Sequence, residues 1–350
     1  MIIPLGKPGS MKKILVTGDF GYIGSALVPL LLHHGYKVVG FDTDYFEKSL
    51  GDSKPQFYKR IIKDIRKAEK KDLEDIDCVI HLAALSNDPM GEIDPKVTEE
   101  INFKSTIRVA ELAKEAHVKR FIFSSSCSIY GIAKSGVVDE RSKVNPITEY
   151  AKSKINVEKE LMRMADNKFC TAILRNSTVY GYSPKFRSDL VVNDLTLSAL
   201  INGKIRVKSD GTAWRPLLDV RDLSNIFKAF IEADSKTINK EIFNIGFSEN
   251  NFQVKTIAET ISEVLLCGIT YNRELGKDSR SYSVSFDKFH SKFPNIVQKW
   301  PLEKSVKDLS VRLSAAIKNP GINREDYVRL VTLQDLISKK RLNHKLYWNK

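Results

Sequence analysis

Hydrophobic and polar positions fall along this chain in blocks that read as strand, turn, helix and strand. Lys12-Lys13-Ile14-Leu15-Val16-Thr17 is charged at its entry and apolar after it, the pattern of a short buried strand. A stretch punctuated by glycines follows. Residues 22–34 then predict a helix, with Gly35 as its C-cap. Tyr36-Lys37-Val38-Val39-Gly40-Phe41 predicts a second strand, and Asp42 follows it. Further helices are expected over 104–116, 148–164, 189–201 (closed by Asn202-Gly203) and 256–266. Residues 217–233 read as a strand followed by a helix, and 241–246 as another short strand. This alternation fits an α/β fold with a doubly wound parallel sheet.

The glycines carry the first chemistry. Gly18 permits a tight turn, Gly21 lets backbone N–H groups approach a pyrophosphate, and Gly24 lets the next helix pack close to the strand. The helix N-terminus adds unpaired N–H groups and a positive dipole end that suit an anion. A carboxylate at Asp42 can accept hydrogen bonds from both hydroxyls of an adenosine ribose, and it repels a 2′-phosphate. Thr43, Asp44 and Tyr45 bring no basic residue to reverse that choice. The unit therefore predicts NAD rather than NADP.

The spacing is Gly-x-x-Gly-x-x-Gly, and it resembles the extended short-chain dehydrogenase/reductase family, which contains nucleotide-sugar epimerases and dehydratases. The resemblance covers roughly residues 11–310. It implies a Rossmann domain with a smaller, interleaved α/β substrate-binding lobe. Asp64-Ile65 resembles the family's adenine-contacting pair, and Val79-Ile80-His81-Leu82-Ala83-Ala84 its fourth strand and cofactor-lining turn. Asn102-Phe103-Lys104-Ser105-Thr106 is similar to the Asn-x-x-Gly-Thr segment, with Ser105 in place of glycine. Phe121-Ile122-Phe123-Ser124-Ser125-Ser126 resembles the fifth strand, entering the active site. The implied cofactor-binding residues are Gly18, Gly21, Tyr22, Ile23, Gly24, Asp42, Asp64, Ile65, Leu82, Ala83, Ala84, Asn102 and Lys154.

Tyr150 and Lys154 are spaced (i, i+4) on one face of an expected helix. A free phenol titrates near 10, too high for a base at neutral pH, and an adjacent ammonium lowers that value. Alone, such a pair reads as a solvated helix face. Here it follows a serine-rich strand end and a nucleotide-binding unit. By resemblance, Lys154 also holds the nicotinamide ribose, and Ser126 bonds the substrate oxygen. The family's dehydratases carry an acidic pair after this serine. Cys127 and Ser128 stand there instead, which argues against 4,6-dehydration, and Cys127 reads as a small packed residue more readily than as a nucleophile.

Beyond Gly181 the chain turns irregular and polar, with Pro184, Lys185, Phe186 and Arg187 opening an expected binding loop. Leu174-Arg175-Asn176-Ser177-Thr178-Val179-Tyr180-Gly181 is similar to a family segment whose usual Asn, a substrate-phosphate ligand, is replaced by Thr178. Ser209-Asp210-Gly211-Thr212-Ala213-Trp214-Arg215 resembles a stretch whose arginine meets a diphosphate. Arg280 matches a second arginine at the same anion. A surface ion pair is the competing role for each. Asn193 and Asp194 are candidates for sugar or nucleotide contacts, a role that helix capping matches as well.

At 350 residues the chain can bury a large core and hold a second lobe. The expected division is a leader at 1–10, a dinucleotide domain from 11–180 and 217–247, a substrate lobe from 181–216 and 248–313, and a basic, solvated extension at 314–350. No apolar run reaches the roughly 20 residues of a membrane span, and residues 1–10 are no secretory signal. Four scattered cysteines lack metal-ligand spacing and fit a reducing cytoplasm. The net charge of +13 is spread along the chain rather than gathered on an aromatic-rich strand, so it steers an anionic substrate rather than marking a nucleic-acid site.

These readings converge on an NAD-dependent epimerase acting on a nucleotide-diphosphate sugar, with no metal, by transient oxidation at C4. A net 4-oxidase or 4-ketoreductase would use the same residues, and a cofactor-sensing scaffold would not need them all. Apolar positions on several sides of helices 104–116 and 150–164 predict a homodimer.

Overall fold

A computed structural model of the chain describes residues 12–50, 57–271, 281–318 and 324–349. The expected leader at 1–10 and Arg280 lie outside these residues. In chain order the strands are β1 Lys13–Thr17, β2 Lys37–Asp42, β3 Lys59–Ile62, β4 Cys78–His81, β5 Arg120–Ser126, β6 Ile132–Val138 and β7 Cys170–Asn176. They continue as β8 Thr178–Tyr180, β9 Lys204–Val207, β10 Trp214–Asp219, β11 Glu241–Ile245, β12 Asn251–Gln253, β13 Gly268–Tyr271 and β14 Ser281–Val284.

β1 shows why the large sheet forms. Ile14 and Val16 point into one core and Leu15 into the other, all nearly without exposure. A strand covered on both faces reads as a continuous apolar run, and such strands pair in parallel. Seven strands do so in the order β11-β7-β5-β4-β1-β2-β3. The order reverses between β1 and β4. The crevice at the carboxyl ends of these strands is where a doubly wound fold receives its ligand.

The helix Gly24–His33 follows β1 and closes with Gly35 at φ +82°. On the same side of the sheet, the helix Val220–Glu232 buries Leu223, Ile226, Phe227 and Phe230. The strand before it, β10, overlaps the start of the segment expected to return to the dinucleotide domain. It pairs with β8 and β12 in a three-stranded sheet. Helices Val191–Asn202, Val254–Leu265 and Leu302–Ile317 contribute apolar side chains to that lobe's core.

The C-terminal segment departs from expectation. Residues 324–349 are folded, not a solvated tail. The helix Arg329–Ser338 buries Leu333 and Leu336 in the core of the dinucleotide domain, joined there by Leu342 and Leu346. Within the helix, Leu333 and Leu336 stand on one face, an amphipathic signal that the basic run Lys339-Lys340-Arg341 just after it obscured. The helices Ser105–Glu115 and Glu149–Met164 also turn their apolar residues inward. Arg108, Glu111, Lys114 and Glu115, with Lys152, Asn156, Lys159 and Arg163, are their exposed positions. Ile107, Met162 and Met164 on these helices are half-buried.

Candidate active site

A cavity of about 660 Å³ opens along the carboxyl ends of β1, β2, β4 and β5 and runs under the smaller lobe. The glycine turn forms its floor. Gly18 sits at φ +73°, and a Cβ there would stand 2.9 Å from the Ala83 backbone nitrogen. A Cβ on Gly24 would lie 2.2 Å from the Gly18 carbonyl oxygen. Glycine at these positions is thus dictated by close backbone approach. The Tyr22 and Ile23 amides face no acceptor among the described residues, and both residues line the cavity. They are unpaired donors at a helix N-terminus, suited to a phosphate.

Asp42 lines the cavity at the end of β2. Its carboxylate accepts from the Phe20 amide at 3.1 Å and the Asp44 amide at 2.9 Å. Burial and the nearby Asp19 push it up to about 6. Asp64 and Ile65 line the same end, with the Asp64 carboxylate held by Arg66 at 2.6 Å. Leu82, Ala83 and Ala84 form the opposite wall. Beneath them runs a polar string. Thr17 Oγ1 accepts from the Leu82 and Ala83 amides and meets His81 Nδ1 at 3.0 Å, while His81 Nε2 meets Thr106 Oγ1 at 2.9 Å. Burial drives His81 down to about 3, so it is a neutral brace.

Asn102 is placed differently from the expectation. It does not line the cavity. Its amide oxygen accepts from the Leu85 N–H at 2.8 Å and its amide nitrogen donates to the Leu85 carbonyl at 3.1 Å. It shapes the cofactor-lining turn from behind. Asn193 is likewise spent inside the protein, accepting from the Gly181 amide at 3.0 Å and donating to the Arg187 carbonyl and the Tyr22 hydroxyl. With Tyr22 donating to the Gly181 carbonyl at 2.6 Å, it fastens the glycine turn to the second lobe.

Ser126, Tyr150 and Lys154 all line one wall. Lys154 Nζ donates to the Ser124 carbonyl at 2.7 Å and lies 5.6 Å from the centre of the Tyr150 ring. Ser126 Oγ accepts from the Ser128 amide at 3.1 Å. The electrostatics correct the simple picture of an ammonium acidifying a phenol. Burial pushes Tyr150 up to about 12, with Asp88 adding to it and Ser126 and Arg187 opposing. Burial also pulls Lys154 down to about 7, against the pull of Glu158. A low-dielectric wall disfavours both charges.

Glu158 is a residue the sequence reading passed over. It lies one turn beyond Lys154, on the same face, so the spacing was legible. Its carboxylate takes the Ser125 hydroxyl at 2.5 Å and Arg175 Nη2 at 2.7 Å, and Arg175 reaches the Tyr130 hydroxyl at 3.0 Å. This buried network fixes the β5 end that carries Ser126. Cys127 is packed below it, with Sγ against the Arg175 carbonyl.

On the far wall, Thr178 and Arg215 line the cavity, and the Arg215 guanidinium lies 5.9 Å from the Tyr282 ring centre. Arg187 forks onto Asp189 at 2.9 and 2.8 Å, and Asn87 donates to the same carboxylate at 2.6 Å. Ser128 Oγ and Asn176 Oδ1, both in cavity-lining residues, are buried with no hydrogen-bond partner in the described structure.

Fold and cavity define a dinucleotide-dependent α/β enzyme. The family follows from comparison. Residues 14–246 match the model of the NAD dependent epimerase/dehydratase family, and the chain belongs to it. It is 29% identical over 273 residues to a UDP-glucose 4-epimerase of Lactobacillus helveticus, covering 72% of this chain and 82% of that protein. It is 29% identical over 266 residues to the human dTDP-D-glucose 4,6-dehydratase, covering 73% and 74%. Among solved structures, the UDP-glucuronic acid 4-epimerase of Bacillus cereus, in complex with UDP-glucuronic acid and NAD, superposes with a TM-score of 0.74 at 25% identity, covering 87% of this chain and 99% of that one. The protein is an NAD-dependent enzyme of the extended short-chain dehydrogenase/reductase type. The glycine cradle, the unpaired amides and the carboxylate of Asp42 fit that cofactor.

Proposed function

We propose that the protein is a nucleotide-sugar 4-epimerase. The observation that carries this reading is the meeting of Ser126, Tyr150 and Lys154 on one wall of the cavity whose floor is the glycine turn. Tyr150 Oη takes the proton of the C4 hydroxyl, and Ser126 Oγ holds the same oxygen as it becomes a carbonyl. NAD, held by the glycine turn and Asp42, would supply the acceptor for the C4 hydride and its source on return. Lys154 is placed to hold the nicotinamide ribose and to keep positive charge near the phenol. That charge is needed, because burial alone leaves Tyr150 protonated at neutral pH. Turning of the keto sugar presents its other face, and return of proton and hydride gives the C4 epimer with no net redox change.

Arg215 is assigned to the substrate diphosphate, with Thr178 beside it where the family carries asparagine. The absence of carboxylates at Cys127 and Ser128 argues against dehydration, and Cys127 is too deeply packed to supply an acid. Thr178 keeps a second reading in view, net oxidation or reduction at C4, because it alters the grip on the substrate phosphate and with it the pose of the sugar. A panel of nucleotide-diphosphate sugars separates the two. Epimerisation without NADH accumulation supports the first, and stoichiometric NADH or a released keto sugar supports the second.

A further inference from the structure

The helix Arg329–Ser338 reaches the cavity wall with its first residue. Arg329 is 4% exposed and shares the wall with Tyr22, Asp42 and Arg187. Its Nη2 donates to the Lys185 carbonyl at 2.8 Å, and its guanidinium lies 4.1 Å over the Phe46 ring. Among the described residues it makes no other hydrogen bond and no ion pair. Its neighbours are placed otherwise. Arg187 is forked onto Asp189, Arg60 is held by Asp19 and Asp44, and Lys154 donates to the Ser124 carbonyl. A buried guanidinium without a carboxylate is costly unless an anion joins it. The surroundings work against its charge, since burial and Arg187 push Arg329 down to about 9, with Asp189 and Asp42 opposing.

Position decides which anion it serves. The unpaired amides of Tyr22 and Ile23 mark the phosphate cradle, and Asp42 marks the ribose beside it. Arg329 stands next to both. The segment that carries it packs over the same end of the cavity. Trp348 Nε1 donates to the Thr43 carbonyl at 2.7 Å, and the Tyr45 hydroxyl donates to the Leu346 carbonyl. Arg66, which holds Asp64, donates to the Lys345 carbonyl at 2.7 Å and lies 3.6 Å over the Tyr347 ring.

We propose that Arg329 binds the diphosphate of the dinucleotide, and that residues 324–349 close the adenosine end of the cavity around it. A guanidinium suits two phosphate oxygens at once. The assignment rests on the cavity being the NAD site, so wild-type binding of NAD is measured first and separates failure of that reading from failure of this one. Full-length R329A and R329Q are then titrated calorimetrically with NAD, ADP-ribose, adenosine and UDP. R329Q retains a donor for the Lys185 carbonyl should R329A fold poorly. NAD and ADP-ribose are expected to weaken together by roughly 10- to 100-fold, while adenosine and UDP are unaffected and R329K recovers part of the loss. Unchanged NAD affinity overturns the proposal. So does an equal loss for adenosine, which marks a merely structural arginine, or a loss confined to UDP, which moves it to the sugar nucleotide.

Discussion

At Tyr150 and Lys154 the protein buries two groups whose useful forms are charged. Tyr150→Phe removes the proton acceptor and is expected to lower kcat by roughly 100- to 10,000-fold, with NAD affinity unchanged by titration. Lys154→Met is expected to stop turnover and to raise the melting temperature by a few degrees. The sign follows from its depressed value in the folded state, about 7 against 10.5 for the unfolded chain. The penalty of burying this lysine is full below pH 7 and fades as pH rises toward 10.5, so the gain in melting temperature should shrink over that interval. Asp42 gives a third residue-scale outcome. With its carboxyl pushed up to about 6, NAD affinity should fall as pH drops through 6, and in Asp42→Ala the affinity should be weak and pH-independent, with the preference over NADP lost. These residues were legible because each belongs to a short spaced motif. Asn102 and Asn193 were legible as important polar residues but not as clamps, because a sequence does not show that Leu85, Gly181 and Arg187 would claim their amides. The balance of burial against charge at Tyr150 was hidden for the same reason, since it depends on how dry the wall is.

At the scale of elements, the strand, glycine turn, helix and strand from Lys13 to Asp42 stand as read, because a buried parallel strand and a turn that excludes Cβ atoms leave strong local marks. Gly24→Ala should show the constraint directly. Its methyl would meet the Gly18 carbonyl at 2.2 Å, so loss of NAD binding is expected even if the far-UV circular dichroism is retained. The C-terminal helix was not legible, because its short apolar pattern runs straight into the basic stretch Lys339-Lys340-Arg341 and its partner surface lies far back in the sequence. Leu333 is wholly buried there, and Leu333→Ala should destabilise the protein by roughly 2–5 kcal/mol in denaturant titration. A loss within a few tenths of a kcal/mol would mean that the segment is not packed as described.

For the whole molecule, two lobes meet over one cavity, and the contacts of Tyr22 and Ser25 with Gly181 and Ser183 fasten them. No helix among the described residues is long and apolar enough to cross a membrane. The outward faces of helices Ser105–Glu115 and Glu149–Met164 are polar, so a homodimer through them would be a polar contact, sensitive to salt in light scattering. A monomer at every ionic strength would remove the dimer proposal. The central claim is that the C4 hydride leaves the sugar and returns to its other face within one binding event. The most direct measurement follows a C4-deuterated nucleotide-diphosphate sugar through turnover by the NAD-loaded enzyme. An epimerase is expected to give a C4 epimer that keeps the deuterium, with no accumulated NADH; deuterium washed out to solvent or left on free reduced cofactor would contradict this reading.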